Sequence, residues 1–497
     1  IVDESHLNQQ LITTARRIPQ LDSVATTSLG VPRLQVVETT ATPPKAGADS
    51  GAIQVTDGDL EKSATLNARL VTPKRVSLKK LTVNRSNVSK LATEFVSEAV
   101  AMRERHSEVR KPIGVVVNTV ELATKVSELL AARKRTEDPD TGQESVVTVL
   151  GAQRLFDRQV RPDLFKVDAE TDVEFVVATQ ALEVGVDMDM AGLVTELAPA
   201  SAIVQRSGRV NRIGAREAAE IVVLEPKYAR DTTGTPYSHG ELAAASEWLE
   251  RRATDPKGLA PWFLLADPPP AAEPSRLLWQ RPEWNEAIYW GRTSEDLAAA
   301  DTQLVSGGED LSLWLRDEFS ADIEASLIVR DHLSDDLLQN AEILRLTPPL
   351  AEEIYPVPLY RLISIARRLL DDDKREPTHL IALRDGNPLR LVLPGEDETG
   401  QGEELHRLLL PVNALRAGDT LVVSPADTIF RAGLVPHPAG DQPGTDVYDK
   451  IVQESAEGQL HARTLLRSRR DSEEVTPTED DAYRAALDLI QVRAEDD

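Results

Sequence analysis

Apolar residues recur along this chain with two periods. Between residues 69 and 228, short β-branched and aliphatic runs alternate with stretches whose apolar positions return every three or four residues. PIGVVVNTV (112–120) is a continuous β-branched run, the pattern of a strand buried on both faces of a parallel sheet. SVVTVLG (145–151), VEFVVATQ (173–180), LVTELA (193–198) and AEIVVLEP (219–226) read as further short strands. LATEFVSEAVAMRERH (91–106) and ELATKVSELLAARKR (121–135) are amphipathic helices. This alternation predicts a doubly wound α/β domain over 69–228.

The flanks read differently. Residues 1–43 predict strand, helix, strand, with QLITTARRI helical and RLQVVETTATP β-rich up to a proline stop; 44–68 is a polar crossing. After 228, GELAAASEWLERRA is helical and DPPPAAEP breaks the pattern. We divide the chain into 1–68, 69–228, a mostly helical accessory region 229–378, a small β-rich and barrel-like module 379–470, and an acidic segment 471–497. Tryptophans gather between 262 and 290 and read as core anchors of the accessory region.

Length allows roughly three or four domains. The chain has no cysteine, which excludes disulfides and thiolate metal sites and fits a cytoplasmic protein. No run approaches the ~18 apolar residues of a membrane span, so no membrane partner is expected. The net charge of −26 argues against a uniformly basic nucleic-acid binder. Its distribution changes that picture: RLVTPKRVSLKKLTVNRSNVSK (69–90) holds seven Lys and Arg and no acid, and RTLLRSRR (463–470) is a second basic cluster. Each is equally well read as a solvated face.

Four short motifs carry candidate chemistry. Asp3-Glu4-Ser5-His6 follows two apolar residues, so its carboxylates would stand at the C-terminal end of a strand, where open α/β sheets bind ligands. Asp3 would hold Mg²⁺ and Glu4 would polarise a water attacking a γ-phosphate, with His6 linking to the neighbouring motif. Thr40 and Thr42, in TTATP, offer hydroxyls to relay the nucleotide state. In ATQALEVGVDMD (178–189), Thr179 and Gln180 suit the phosphate of a bound strand, Gly185 permits close backbone approach, and Asp187 can accept from a ribose hydroxyl. In QRSGRVNR (205–212), Gln205, Arg206, Arg209 and Arg212 stand at helical offsets and are expected to share a face. Guanidinium forks stabilise spread phosphoryl charge, so Arg209 and Arg212 are arginine-finger candidates. Gly208 at the helix start and the lack of acidic neighbours in sequence argue against an ordinary solvated helix.

Taken in order, these motifs resemble motifs II, III, V and VI of the superfamily 2 DExH helicases. The Asn118-Thr119 pair and the wording GRVNR look more narrowly like the helicase-nuclease of CRISPR type I systems that Cascade recruits. RLLWQRPEWNEAIYWGRTSEDLAAAD and LWLRDEF, after 270, look like its actinobacterial type I-U (I-G) branch. The resemblance implies two RecA-like lobes, the first represented by 1–68 and the second by 69–228. It implies ATP and Mg²⁺ as cofactors, single-stranded DNA threaded between the lobes, and Cascade with its crRNA-target R-loop as partner. Asn118 and Thr119 would join Thr179 and Gln180 at the nucleic acid, while Gln205 and Arg206 would face the nucleotide with Gly185 and Asp187.

Two expected parts do not occur in the sequence. There is no G-x-x-x-x-G-K-[ST] loop to cradle phosphates, and we expect it upstream of residue 1 in a longer protein. The divalent metals of an HD nuclease would need clustered His and Asp, whereas the eight His are scattered and Asp331-His332 reads as a charged loop. By itself the chain is expected to turn over little or no ATP. The alternatives are another superfamily 2 helicase acting on DNA or RNA, and a non-catalytic nucleic-acid-binding protein.

Overall fold

The computed structural model describes residues 15–18, 35–37, 55–137, 145–159, 164, 166–167, 170–183, 187–228, 236–270, 324–331, 333, 335–372, 375, 379–394 and 408–454. The chain forms two compact units, residues 1–151 with 161–273, and residues 152–160 with 274–497.

The first unit is built on a six-stranded sheet. Its strands are β1 (Lys74–Asn84), β2 (Ile113–Val116), β3 (Val146–Val149), β4 (Phe175–Ala178), β5 (Gly192–Glu196) and β6 (Ala219–Lys227). The spatial order is β1-β6-β5-β2-β4-β3, and every pairing is parallel. Parallel strands need crossovers, and helices α1 (Ala64–Val71), α2 (Val88–Arg105), α3 (Val120–Glu137), α4 (Ala200–Ser207) and α5 (His239–Thr254) accompany them. All residues of β2, β4 and β5 are buried, which explains why IGVV and FVVA are apolar throughout rather than alternating, while β5 ends on the buried polar pair Thr195 and Glu196.

Local sequence sets the helix limits. Asn87 caps α2, its side chain accepting from the Lys90 N–H, and Leu91, Ala92, Phe95, Ala99 and Met102 bury one face at helical spacing. Ser238 and Glu241 form a reciprocal capping box that starts α5. Helix α5 packs on β1, and its Trp248 is fully buried in the core with Leu242, Ala245 and Leu249. The Leu259 N–H donates to Lys74 O, tying the segment after α5 to the start of β1. The compact unit therefore continues past residue 228, and a division there falls inside one core. The basic run at 69–90 is also resolved into parts: Lys74 is buried, whereas Lys79 and Lys80 are exposed and pair with Glu98 and Glu250.

The second unit holds a mixed sheet of β7 (Glu324–Val329), β8 (Tyr355–Pro358), β9 (Ile381–Arg384), β10 (Asn387–Val392), β11 (Leu409–Pro411) and β12 (Thr420–Val423), ordered β11-β10-β9-β12-β7-β8. Helices α6 (Leu337–Leu346) and α7 (Leu359–Leu370) lie in the same unit, and α7 buries Leu362, Ile365, Ala366 and Leu369 in its core. Strands from both sides of residues 378/379 share this sheet, and among the described residues β11 and β8 are its edges, which gives an open sheet and not a barrel. The physical reason is that β12 pairs through its backbone with β9 on one edge and β7 on the other, so the strands before and after 378/379 complete one ladder. Asp385 and Gly386, both at positive φ, make the tight hairpin turn between β9 and β10. Two buried ion pairs, Arg330–Glu353 and Arg375–Asp427, pin the loops of this unit.

No helix among the described residues is long and apolar enough to cross a membrane.

Candidate functional site

The C-terminal ends of parallel strands in an open α/β sheet form the usual ligand edge. In the first unit Asn118 and Thr119 follow β2, Thr179 and Gln180 follow β4, and Glu196 closes β5 ahead of α4. Thus β2 and β4, neighbours in the sheet, carry both candidate pairs for nucleic acid. The Gln180 side-chain amide donates to Asn118 O at 3.2 Å and to the Tyr237 hydroxyl at 3.3 Å. Asn118 is buried, its amide donating to Leu197 O at 2.7 Å. The Thr119 hydroxyl accepts from Arg85 at 2.8 Å. Thr179 is buried at the start of the short 3₁₀ turn 180–182.

Helix α4 ends at Ser207, and Gly208 closes it, its N–H donating to Val204 O and Gln205 O. Gly208 therefore stands at the end of the helix, and Gln205, Arg206, Arg209 and Arg212 do not share one helical face. Each arginine has its own environment. Arg206 is 1 % exposed. Its guanidinium donates to Glu183 Oε1 at 2.9 Å, Thr195 Oγ1 at 2.8 Å, Glu196 O at 3.3 Å, Asn118 Oδ1 at 3.3 Å and the Tyr237 hydroxyl at 3.3 Å. The structure thus places Arg206 in the interior, with its guanidinium directed to groups of the protein. Arg209 is also buried and donates to Glu183 O at 2.8 Å. Arg212 reaches solvent, with its side chain 36 % exposed, and forms an ion pair with Asp187 at 2.8 Å. Gln205 is half-buried. The acidic partners that the local sequence lacks are supplied from elsewhere in the chain, by Glu183 and Asp187.

The backbone that carries Arg209 and Arg212 is held at several points. Asp189 Oδ1 accepts from the Arg212 N–H at 2.8 Å and from Arg216 at 3.3 Å. Asn211 takes a positive φ of 47°, which Asn tolerates better than most residues, and its side chain bonds both the N–H and the C=O of Arg216. Gly214 has φ 70°, and a Cβ there would lie 2.1 Å from Ala68 O in α1. Both the backbone conformation and the space demand glycine. Gly214→Ala is expected to destabilise the protein by roughly 2–4 kcal/mol in urea unfolding. A change below about 1 kcal/mol would show that the loop relaxes away from α1.

Lys74 grips the same loop from below. It is 4 % exposed, and its ammonium donates to Ser207 O at 2.6 Å and Val210 O at 3.1 Å, bridging the end of α4 to the loop. Burial pulls its pKa from 10.5 down to about 7, only partly offset by the Asp189 carboxylate. The folded state thus releases a proton that the unfolded chain keeps between about pH 7 and 10.5. The unfolded state binds more protons in that window, so this residue's contribution to stability rises with pH across it. Lys74→Met should lose that rise, so the parent gains stability relative to the variant as pH climbs from 7 towards 10.5. Parallel pH profiles of urea midpoint would contradict it.

The sequence reading did not anticipate Glu196, Arg85, Lys74, Glu183, Asp189 or Tyr237. Glu196 is fully buried at the end of β5, pairs with Arg85 at 2.5 Å, and accepts the Asn118 N–H at 2.8 Å. Burial pushes its carboxyl pKa up, while the Arg85 guanidinium pulls the other way. A lone acid closing an otherwise uncharged strand, as in LVTE, was the available signal. Asp3, Glu4, His6, Thr40, Thr42 and Gly185 lie outside the described residues, as does His332 of the Asp331-His332 pair. Among the described residues no group of three or more His, Asp or Glu is arranged to hold a metal ion.

Residues 110–215, spanning β2 through the arginine loop, match the family model for the C-terminal part of the CRISPR-associated nuclease/helicase Cas3. A CRISPR-associated helicase Cas3 of Thermoproteus tenax is 30% identical over 162 residues, 32% of this chain and 26% of that protein. A putative CRISPR-associated nuclease/helicase Cas3 of Myxococcus xanthus is 38% identical over 82 residues, 16% of this chain and 11% of that protein. The chain thus spans about a quarter or less of the length of these curated relatives. Among solved structures, T. fusca Cas3-AMPPNP overlaps 74% of this chain and 42% of its own, at 16% identity and a TM-score of 0.39. Over β2 through the arginine loop, then, the chain is similar to the C-terminal part of the CRISPR-associated nuclease/helicase Cas3.

Proposed function

We propose that the first unit is the second RecA-like lobe of an ATP-driven single-stranded-DNA translocase acting in CRISPR type I interference. The observation that carries this reading is the Arg212–Asp187 pair above a clamped backbone. Arg212 keeps its main chain fixed by Asp189 while its side chain remains at the surface, held by an exposed carboxylate. Exposed ion pairs contribute only about 0–1 kcal/mol, so a polyphosphate can displace Asp187 at little cost. A fixed base and a releasable guanidinium are what a finger acting across a cleft needs. The donor set fits a nucleotide polyphosphate, with Arg212 as the direct contact and Arg209 behind it. Bound ATP with Mg²⁺ would supply the phosphoryl group and the cation that neutralises it. Asp3 and Glu4 would serve that metal and the attacking water from the other lobe.

The nucleic-acid side of the reading uses Asn118, Thr119, Thr179 and Gln180, gathered after β2 and β4. Thr119 and Gln180, half-buried at this edge, would meet backbone phosphates, with the buried Asn118 and Thr179 behind them. The partners in this reading are single-stranded DNA and a Cascade complex bearing its crRNA-target R-loop, met in the cytoplasm.

The test is ATP turnover by the product of the complete gene, with and without single-stranded DNA, and with RNA of matched sequence. Stimulation by DNA well above that by RNA is expected. Equal stimulation by RNA would favour a general superfamily 2 helicase, and no turnover at all would leave a non-catalytic binder.

A further inference from the structure

The candidate groups of the first unit form two sets, a nucleic-acid set after β2 and β4 and an arginine set that begins at the end of α4, and one buried residue touches both, with its carboxylate on one side and its backbone carbonyl on the other. Glu196, the last residue of β5, is 0 % exposed. One oxygen pairs with Arg85, and the other accepts the Asn118 N–H. Arg85 in turn donates to the Thr119 hydroxyl. On the other side, the Glu196 carbonyl accepts from Arg206, which also donates to Asn118 Oδ1. The Asn118–Thr119 turn therefore cannot shift without stretching bonds that run through Glu196 to Arg206.

A buried ion pair is a poor device for stability alone, because apolar residues of similar volume hold a core at least as well. Its attested use is to fix one arrangement among several. Here the arrangement it fixes is the register between the strand-end turn and the helix that leads into the arginine loop.

We infer that Glu196 is a positioning residue that couples the Asn118–Thr119 turn to the Arg206 end of α4, so that occupancy of one set is felt by the other. This rests on the reading of those sets as nucleic-acid and nucleotide groups. Glu196 touches neither ligand in this scheme; it transmits position.

The experiment compares the complete gene product with Glu196→Gln and with the double variant Arg85→Met/Glu196→Gln. Three quantities are read: the unfolding midpoint, binding of a fluorescein-labelled oligo-dT by anisotropy, and the ratio of oligo-dT-stimulated to unstimulated ATP turnover. The ratio is taken well below every midpoint, so it reports on folded protein. Glu196→Gln strands Arg85 and should lower the midpoint; removing both charges should recover most of it. The stimulation ratio should fall about tenfold in both variants, with weaker oligo-dT binding. A double variant that keeps the parental ratio overturns the inference and leaves Glu196 a purely structural group. A parent with no DNA stimulation overturns the underlying reading, and the inference with it.

Discussion

Replacing Arg212 with alanine in the complete gene product should cut ATP turnover by about 10³-fold while leaving the fold intact. The side chain is more than a third exposed and its ion-pair partner among the described residues, Asp187, is more exposed still, so its loss removes little packing. The backbone bond from its N–H to Asp189 survives the substitution, so the loop stays in place. What disappears is the guanidinium that would meet charge developing on the transferred phosphoryl group, a contribution worth 10³–10⁵ in enzymes that use such a finger. The unfolding midpoint is the control, and it should move by no more than ~0.5 kcal/mol, as for other surface changes. A loss under about tenfold would reduce Arg212 to a surface pair.

Arg206→Ala should behave in the opposite way, through stability first. Arg206 is fully buried, and five groups from four parts of the chain depend on its donors. Alanine leaves the Glu183 carboxylate without its partner and the Glu196 carbonyl, Thr195 hydroxyl and Asn118 amide oxygen each short of a donor. Breaking a buried charge pair by removing one member typically costs about 3–5 kcal/mol. For a unit of this size that corresponds to a fall of roughly 10 °C in melting temperature. Thermal unfolding checks it directly. A drop of less than ~1 kcal/mol would mean that water replaces the guanidinium, and the node would not be the rigid support described above.

The two substitutions separate roles that look identical in QRSGRVNR. Written as a helix, the motif puts all three arginines on one face. In the folded chain the helix stops at Ser207, Asn211 turns the backbone through positive φ, and the arginines point to three different environments. Local spacing could not reveal this, because Glu183 lies 23 residues from Arg206, Asp187 lies 25 from Arg212, and Glu196 lies 111 from Arg85. The acidic partners exist, but only the sheet order brings them in.

Other parts were legible without coordinates. The runs IGVV, FVVA and LVTE became the buried strands β2, β4 and β5, and the amphipathic stretches became α2 and α3. Strand burial depends on an unbroken run of β-branched and aliphatic residues, and helical amphipathicity on a period of three to four, so both are local properties. The end of the first unit was not legible. The segment after 228 reads as polar and helical, and it is attached to the sheet by tertiary contacts such as the packing of Trp248 and the bond between Leu259 and Lys74. The same holds for the second unit, where β7 and β12 are parallel neighbours almost a hundred residues apart.

By itself, then, the amino-acid sequence determined the alternation of strands and helices, the order of the motifs and the family they resemble, because these depend on neighbouring residues and on wording along one line. The tertiary structure decided which charges are inside and which are free to act. Burial of Lys74, Arg85, Glu196 and Arg206 follows from the sheet order, and Arg212 reaches solvent because Asn211 and Gly214 turn the chain outward after α4. A charged residue carries the same letter in either place; only its surroundings determine whether it supports the site or reaches out from it.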